Sequence, residues 1–543
     1  MKKNIQEEEI ESIYGKVSPF EFKDALIDLA TRCEKKSTRS LLDAGRGNPN
    51  WISTTPREAF FTFGQFAITE SRRTWQAQDL GGMPHKNGIY DRFKKYVEEN
   101  LKAPGIELLD KIIEYGVYEK GFNKDAFVHE LADAIIGDNY PFPDRMLRHI
   151  EGLVHDYLAK EMAYDTGKGG KFDIFAVEGA TAAMCYIFDT LRSNNLLVKG
   201  DKIAIMVPVF TPYLEIPILP QYGLEIVPII ANSDTSCGDD FGQYSQSELD
   251  KLKDPSIIAL FIVNPSNPSS IALNSDGRSY IADIVENHNK DLMVISDDVY
   301  GTFVPDFKSL MSEIPYNTIG VYSFSKYFGV TGWRLGTIAI HENNIFDKLI
   351  KELPPRYHKE LSSRYGHLST TPEDIKFVDR IVADSRQVAL NHTAGLSTPQ
   401  QVQMAFFCAF AVLDKDDAYK NLTMAICLKR KRLLYDGLGL EITVNNLNAN
   451  YYAEFDLLDW AKNNYGQDFA DFLEMNYKPV QVLYRLAKES SIVLLGGSGF
   501  QGPQWSVRIS LANLNDDAYR EIGHALRKIS QSFLDEFRRS IEC

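Results

Sequence analysis

The segment SFSKYFGVTGWRLG (323–336) places two hydroxyls, an amine and a guanidinium in one loop: Ser323, Ser325, Lys326 and Arg334. Lysine is the side chain that forms Schiff bases with carbonyl compounds. Arginine grips phosphate through a planar fork of donors. The set therefore suits a phosphate held beside a reactive amine. In isolation the same residues describe an ordinary solvated basic turn, so the weight falls on what accompanies them.

Five further segments accompany them. Gly179-Ala180-Thr181 lies between a strand-like FDIFAV and a helical TAAMCYIFDTLR. Backbone N–H groups at such a helix start bind phosphate, and small residues let the anion approach. In NPSNPSS (264–270), Asn267 can donate an amide to a ligand oxygen; alone, the segment reads as a turn. In SDDVYG (296–301), Asp297 and Tyr300 stand at a strand end. A carboxylate there can hold a proton on a pyridine nitrogen, and a phenol can bond a ring hydroxyl; the bland reading is a helix-capping Asp. In PVFTPY (208–213), Phe210 can stack on an aromatic cofactor or simply fill a core. Arg508, in WSVRISLAN, sits among apolar strand residues, where a buried cation needs an anionic partner.

Gly497-x-Gly499-x-x-Gly502, in GGSGFQG, spells the dinucleotide fingerprint. That fingerprint must open a helix, and here Pro503 and the strand-like WSVRISL follow. Nicotinamide or flavin binding is rejected on that ground.

The elements that must position these residues are short β-branched runs alternating with helices from about residue 172: FDIFAV, KIAIMV, LEIVPII, SIIALFIV, LMVIS, TIGVYSF and LGTIAI. This pattern predicts an α/β fold with a mostly parallel sheet buried on both faces. The reactive residues follow the ends of these strands, where open α/β sheets place ligands. Residues 1–56 read as an N-terminal segment joining a smaller domain, and 57–135 as a helical insertion. A large domain spans 136–415, interrupted by a polar insertion at 356–395, and a small α+β domain occupies 416–543.

The chain has 543 residues and a net charge of −15, from 59 Lys+Arg and 74 Asp+Glu. That balance argues against a nucleic-acid partner and against an anionic membrane surface. The longest apolar run, Met404 to Leu413, is far short of the roughly 20 residues of a membrane span. The N-terminus MKKNIQEEEIES has no apolar core for a signal peptide. Six scattered cysteines without a CxxC pair suggest reduced thiols and no metal site. The expectation is a cytoplasmic enzyme.

Taken together and in this order, GAT, PVF, NPxNP, DDVY, SxSK and the Arg eight residues after the Lys resemble the fold-type-I pyridoxal phosphate enzymes of the aspartate aminotransferase family. DAGRGNPNW, NYPFPDRML (139–147), NHTAGLSTPQQVQM (391–404), SLANLN (510–515) and the length make the chain similar to the aspartate 4-decarboxylase branch of that family.

The resemblance implies the following. The cofactor is pyridoxal 5′-phosphate, carried by Lys326 as a Schiff base. Asp297 pairs with the ring nitrogen, Tyr300 and Asn267 bond the ring oxygen, and Phe210 stacks on the ring. Ala180, Thr181, Ser323 and Arg334 hold the phosphate, Gly179 and Ser325 belong to the cofactor-binding set, and Tyr140 reaches the phosphate of a neighbouring subunit. Arg508 clamps the substrate α-carboxylate, helped by Asn267. Relatives hold the distal carboxylate with an Arg four residues before S-x-P, a position occupied here by Thr393, before Ser397-Thr398-Pro399. Arg46 is the candidate for orienting the β-end of the substrate, and Arg386 a weaker one. The implied reaction is β-decarboxylation of L-aspartate to L-alanine and CO2, with side transamination of aspartate against a 2-oxo acid such as pyruvate or 2-oxoglutarate. A plain aspartate or related aminotransferase is the alternative; a non-catalytic relative is disfavoured because Lys326 is present. The implied assembly is a homodimer with shared active sites, built into a larger oligomer, a dodecamer in the family, through 57–135 and 356–395.

Overall fold

A computed structural model of the chain describes residues 18–34, 40–138, 145–164, 171–232, 241–386 and 395–542. Seven of the apolar runs form one sheet: β1 (Phe172–Val177), β2 (Lys202–Val207), β3 (Glu225–Ile230), β4 (Ile257–Val263), β5 (Met293–Asp297), β6 (Thr318–Ser323) and β7 (Gly336–His341). Their order is β1-β7-β6-β5-β4-β2-β3. β7 is antiparallel to both neighbours and the remaining pairs are parallel. These runs are too short and too rich in Val and Ile for helices, and helices on both faces bury them. The exception is the edge strand β3, which is partly exposed and carries Pro228. A proline is tolerated there because an edge strand has ladder positions without a partner.

Registry brings the strand ends together. Val263 pairs with Asp297, Asp297 with Val321, and Gly336 with both Ser323 and Val177. One edge of the sheet therefore collects the loops after β1, β2, β4, β5 and β6.

The helices of the 57–135 region do not form a separate unit. Thr55–Thr74, Ile89–Glu99, Ile106–Glu114 and Lys124–Ile135 share a continuous apolar core with the sheet. Phe63 stands 5.8 Å from Phe406 in the helix Thr398–Leu413, whose second half, Met404 to Leu413, is the longest apolar run of the chain. A helix apolar almost all round is one enclosed by others. In the 356–395 region, the helix Phe377–Ser385 also buries Phe377, Val378, Ile381 and Val382.

A second core lies under a three-stranded antiparallel sheet of β8 (Tyr452–Asp456), β9 (Leu495–Gly496) and β10 (Ser506–Ser510), ordered β8-β10-β9. The long helices Ala418–Leu438 and Asp516–Glu542 back it. The N-terminal helix Pro19–Glu34 adds Phe22, Leu26 and Ala30 to this core, and Leu42–Asp43 pairs in parallel with Ile492–Val493. The glycine-rich turn after Asp43 is thereby held between the two cores.

Candidate active site

A cavity of about 340 Å³ opens where the strand ends of the large sheet meet β8, β10 and the glycine-rich turn. Ala180, Thr181, Phe210, Asn267, Asp297, Tyr300, Ser323, Ser325, Lys326, Arg334 and Arg508 all line it. Residues spread over more than three hundred positions are thus brought to one place, most of them at or just after strand ends.

Lys326 follows β6 and turns inward. Its Nζ donates to the carbonyl of Gly47 at 3.0 Å. Burial lowers the pKa of this amine, and the cations Arg508 and Arg334 act in the same direction. The neutral amine, the form that attacks carbonyl carbon, is therefore favoured relative to a free lysine.

Asp297 ends β5 in full burial. Tyr213 donates its phenol to Oδ2, and the Val299 amide donates to Oδ1 at 3.2 Å. Burial pushes the carboxyl up to about 6, against the pull of these donors and of Lys326. With no ion-pair partner among the described residues, this buried carboxylate suits a cationic N–H brought in by a ligand. Behind it, burial raises Asp298 to about 7; Asp298 accepts from Ser296 at 2.7 Å and from Tyr164 at 3.1 Å.

At the opposite end, Gly179 caps the helix Ala180–Ser193 with φ +91°. A Cβ there would come 2.5 Å from Nη2 of Arg334. The missing side chain lets the guanidinium lie against the helix start, where it donates to the carbonyls of Glu178 and Thr331, each at 3.1 Å. Ser323 and Ser325 bond each other at 3.0 Å beside it. Helix N–H groups, two hydroxyls and a guanidinium together make a cradle whose donors suit a phosphate. The cradle, the amine and the buried carboxylate fit the phosphate, carbonyl and ring nitrogen of pyridoxal 5′-phosphate.

Arg508 lies on β10, the central strand of the small sheet, and is 1% exposed. Nη1 donates to Oδ1 of Asn267 at 3.1 Å and Nη2 to the carbonyl of Gly45 at 2.7 Å. Its Nε is buried without a hydrogen-bond partner among the described residues. No carboxylate of the described residues pairs with it, so the charge is available for a ligand anion.

Other expected residues lie elsewhere. Arg46 does not line the cavity: its side chain is 62% exposed, with Nε 3.2 Å from Asp43 Oδ2. Its neighbours Gly47 and Asn48 line the cavity instead. In this irregular turn the Asp43 carboxylate holds the guanidinium outward. Arg386 caps the helix Phe377–Ser385 and does not line the cavity. Tyr140 and Thr393 lie outside the described residues. GGSGFQG forms a short 3-10 turn, Gly497–Phe500, and opens no α-helix.

Tyr213, Tyr452 and Phe20 line the cavity without having been singled out from the sequence. Tyr213 had a signal, standing three residues after Phe210 within the quoted PVFTPY. Tyr452 bonds Tyr300 hydroxyl to hydroxyl at 2.9 Å and lies under the Arg508 guanidinium at 4.3 Å. Phe20 stands edge-on to Phe210 at 5.8 Å.

The family model "Aminotransferase class I and II" matches residues 173–526. A bifunctional aspartate aminotransferase and L-aspartate beta-decarboxylase of Pseudomonas sp is 46% identical over 96% of this chain and 97% of its own. Among solved structures, an aromatic aminotransferase from Pyrococcus horikoshii superposes with a TM-score of 0.56 at 18% identity, covering 93% of this chain and 99% of that one. The aspartate aminotransferase from Thermus thermophilus with maleate gives 0.54 at 15% identity, covering 93% and 96%. By the family match over residues 173–526, and by the fold that carries its cavity, the chain belongs to the class I and II aminotransferases.

Proposed function

We propose that this protein is a pyridoxal phosphate-dependent enzyme that converts L-aspartate to L-alanine and CO2 and also transaminates aspartate with a 2-oxo acid. The near full-length identity to the bifunctional Pseudomonas protein carries this reading. The charge inventory of the cavity supports it. Among the described lining residues the cations are Lys326, Arg334 and Arg508. Arg334 is assigned to the phosphate and Lys326 to the Schiff base. Arg508 then serves one carboxylate of aspartate, and no described lining cation remains for the second. A carboxylate that must leave as CO2 is better left without a tight ionic clamp, which would stabilise the ground state.

When bound, the cofactor supplies an electron sink for charge developing at the substrate carbons as a proton or CO2 departs. The chain does the rest. Arg508 and Asn267 orient the α-carboxylate. Lys326 would hold the cofactor through its amine, and that amine would serve to take the proton from Cα. Asp297, held by Tyr213, would keep the ring nitrogen protonated. Tyr300 and Asn267 would bond the ring oxygen, Phe210 would cover the ring, and Gly179, Ala180, Thr181, Ser323, Ser325 and Arg334 would hold the phosphate end. Tyr140 is assigned to the phosphate of a second subunit, which makes the active site a shared one.

Assembly beyond a dimer is part of the same reading. Phe61, Ile68 and Trp75 recur every seven residues along and just beyond the helix Thr55–Thr74 and are exposed, as are Leu80 and Met83 after it. An apolar stripe of this kind marks a contact surface. No described helix is long and apolar enough to cross a membrane.

The activity is tested by following CO2 release from L-aspartate by the protein supplied with cofactor. The expected result is many turnovers by the wild type and none by Lys326→Ala. Undiminished release by the variant would overturn the assignment.

A further inference from the structure

The glycine-rich segment 496–502 has no part in the function described so far, yet it touches three of the groups that build the site. Phe500 is fully buried, and its ring lies 5.0 Å from the Arg508 guanidinium carbon. Tyr452 is the other aromatic ring against Arg508, at 4.3 Å. The backbone of the same turn reaches the cofactor side. The Val209 amide donates to the carbonyl of Phe500 at 2.9 Å, and the Thr211 hydroxyl to that of Gly499 at 2.9 Å. These two donors flank Phe210. Phe20 of the N-terminal helix stands edge-on to both Phe500, at 6.3 Å, and Phe210. A Cβ on Gly499 would overlap Pro19 at the start of that helix, so glycine is what lets helix and turn meet.

An arginine that is to receive a carboxylate needs a fixed plane, because a bidentate pair depends on orientation as well as charge. Asn267 and the Gly45 carbonyl fix the edge of Arg508. Aromatic faces hold a guanidinium plane by cation–π attraction, which strengthens when water is excluded.

We propose that Phe500 is a positioning residue for the substrate-carboxylate clamp, holding the Arg508 plane against Tyr452 while its turn ties the clamp to the loop that carries Phe210. This rests on the proposed role of Arg508. Phe500 touches neither the amine of Lys326 nor the phosphate cradle, so its loss falls on carboxylate binding and leaves the chemistry largely intact.

The test uses the holoenzyme and two variants that lack the ring, Phe500→Leu and Phe500→Met, with Phe500→Tyr as the conservative control. The probe is maleate, a dicarboxylate without an amino group, followed through the cofactor absorbance. In both ring-less variants the maleate Kd and the KM for L-aspartate are expected to rise about tenfold. The kcat is expected to stay within about twofold and the unliganded spectrum to stay unchanged. Phe500→Tyr is expected to bind maleate as the wild type does. Wild-type maleate affinity in whichever ring-less variant folds, or a fall in kcat at constant KM, would overturn the proposal. Absence of maleate binding to the wild type would overturn the clamp itself, and with it the part given to Phe500. A wild type that binds maleate but does not convert L-aspartate would contradict the proposed activity and leave Phe500 to be judged by the maleate series.

Discussion

The phenol of Tyr213 donates a hydrogen bond to Oδ2 of Asp297, joining the helix Pro212–Ile218 to the end of β5 in the wall of the cavity. Both groups are buried, and Tyr213 helps keep this carboxylate ionised where burial opposes it. Asp297 reaches about 6 with Tyr213 in place. Above that pH it is ionised and can pair with a protonated ring nitrogen; below it the charge is lost. Cofactor affinity is therefore expected to fall as pH drops through about 6. In Tyr213→Phe the hydrogen bond that lowers the pKa is gone, so the fall should begin at higher pH. At neutral pH the loss should reach about tenfold. Cofactor titrations from pH 5 to 8 check this, and an unchanged pH profile would contradict it.

Gly179 makes a second prediction. Its backbone is in a region that L side chains rarely adopt, and its Cβ position lies against Arg334. Gly179→Ala should cost the cofactor-free fold about 1–3 kcal/mol, from backbone strain. It should also weaken cofactor binding by at least about tenfold as Arg334 is displaced from the cradle. Urea unfolding and cofactor titration read the two effects separately.

Arg508→Lys keeps the charge but loses the planar fork that bonds Asn267 and Gly45. The KM for L-aspartate should rise about a hundredfold, with cofactor affinity retained. A KM within a few-fold of the wild type would show that the substrate carboxylate is bound elsewhere.

The exposed stripe on Thr55–Thr74 predicts association. Light scattering at micromolar concentration should give a mass above that of a dimer for the wild type. Phe61→Glu combined with Ile68→Glu should lower it to the dimer and leave aspartate turnover per site intact. A wild-type mass equal to a dimer would count against the stripe as a contact surface.

Much of the cavity was legible in the sequence for a local reason. Lys326, Asn267 and Gly179 each follow a short β-branched run and Asp297 ends one, and a mostly parallel sheet brings the ends of such runs together. The same reasoning could not reach Tyr452 or Phe500, which arrive on β8 and on the turn before β10. Their placement depends on long-range pairing and on the docking of the small sheet. Arg46 shows a different difficulty. In an irregular glycine-rich turn no period tells which way a side chain points, and the Asp43 carboxylate turns this one outward. The 57–135 region reads as an insertion from its mixed patterns, yet Phe63 and Phe66 are part of the main core. Helical periodicity reveals an apolar face but not what covers it.

The most direct measurement is NMR of the products formed from L-aspartate by the holoenzyme without any 2-oxo acid. Catalytic accumulation of L-alanine is the expected result and would link β-decarboxylation to a cavity in which Arg508 is the one described cation left for substrate. At most one equivalent of oxaloacetate per site, with the cofactor left in its amino form, would contradict it and identify an aminotransferase that waits for a 2-oxo acid.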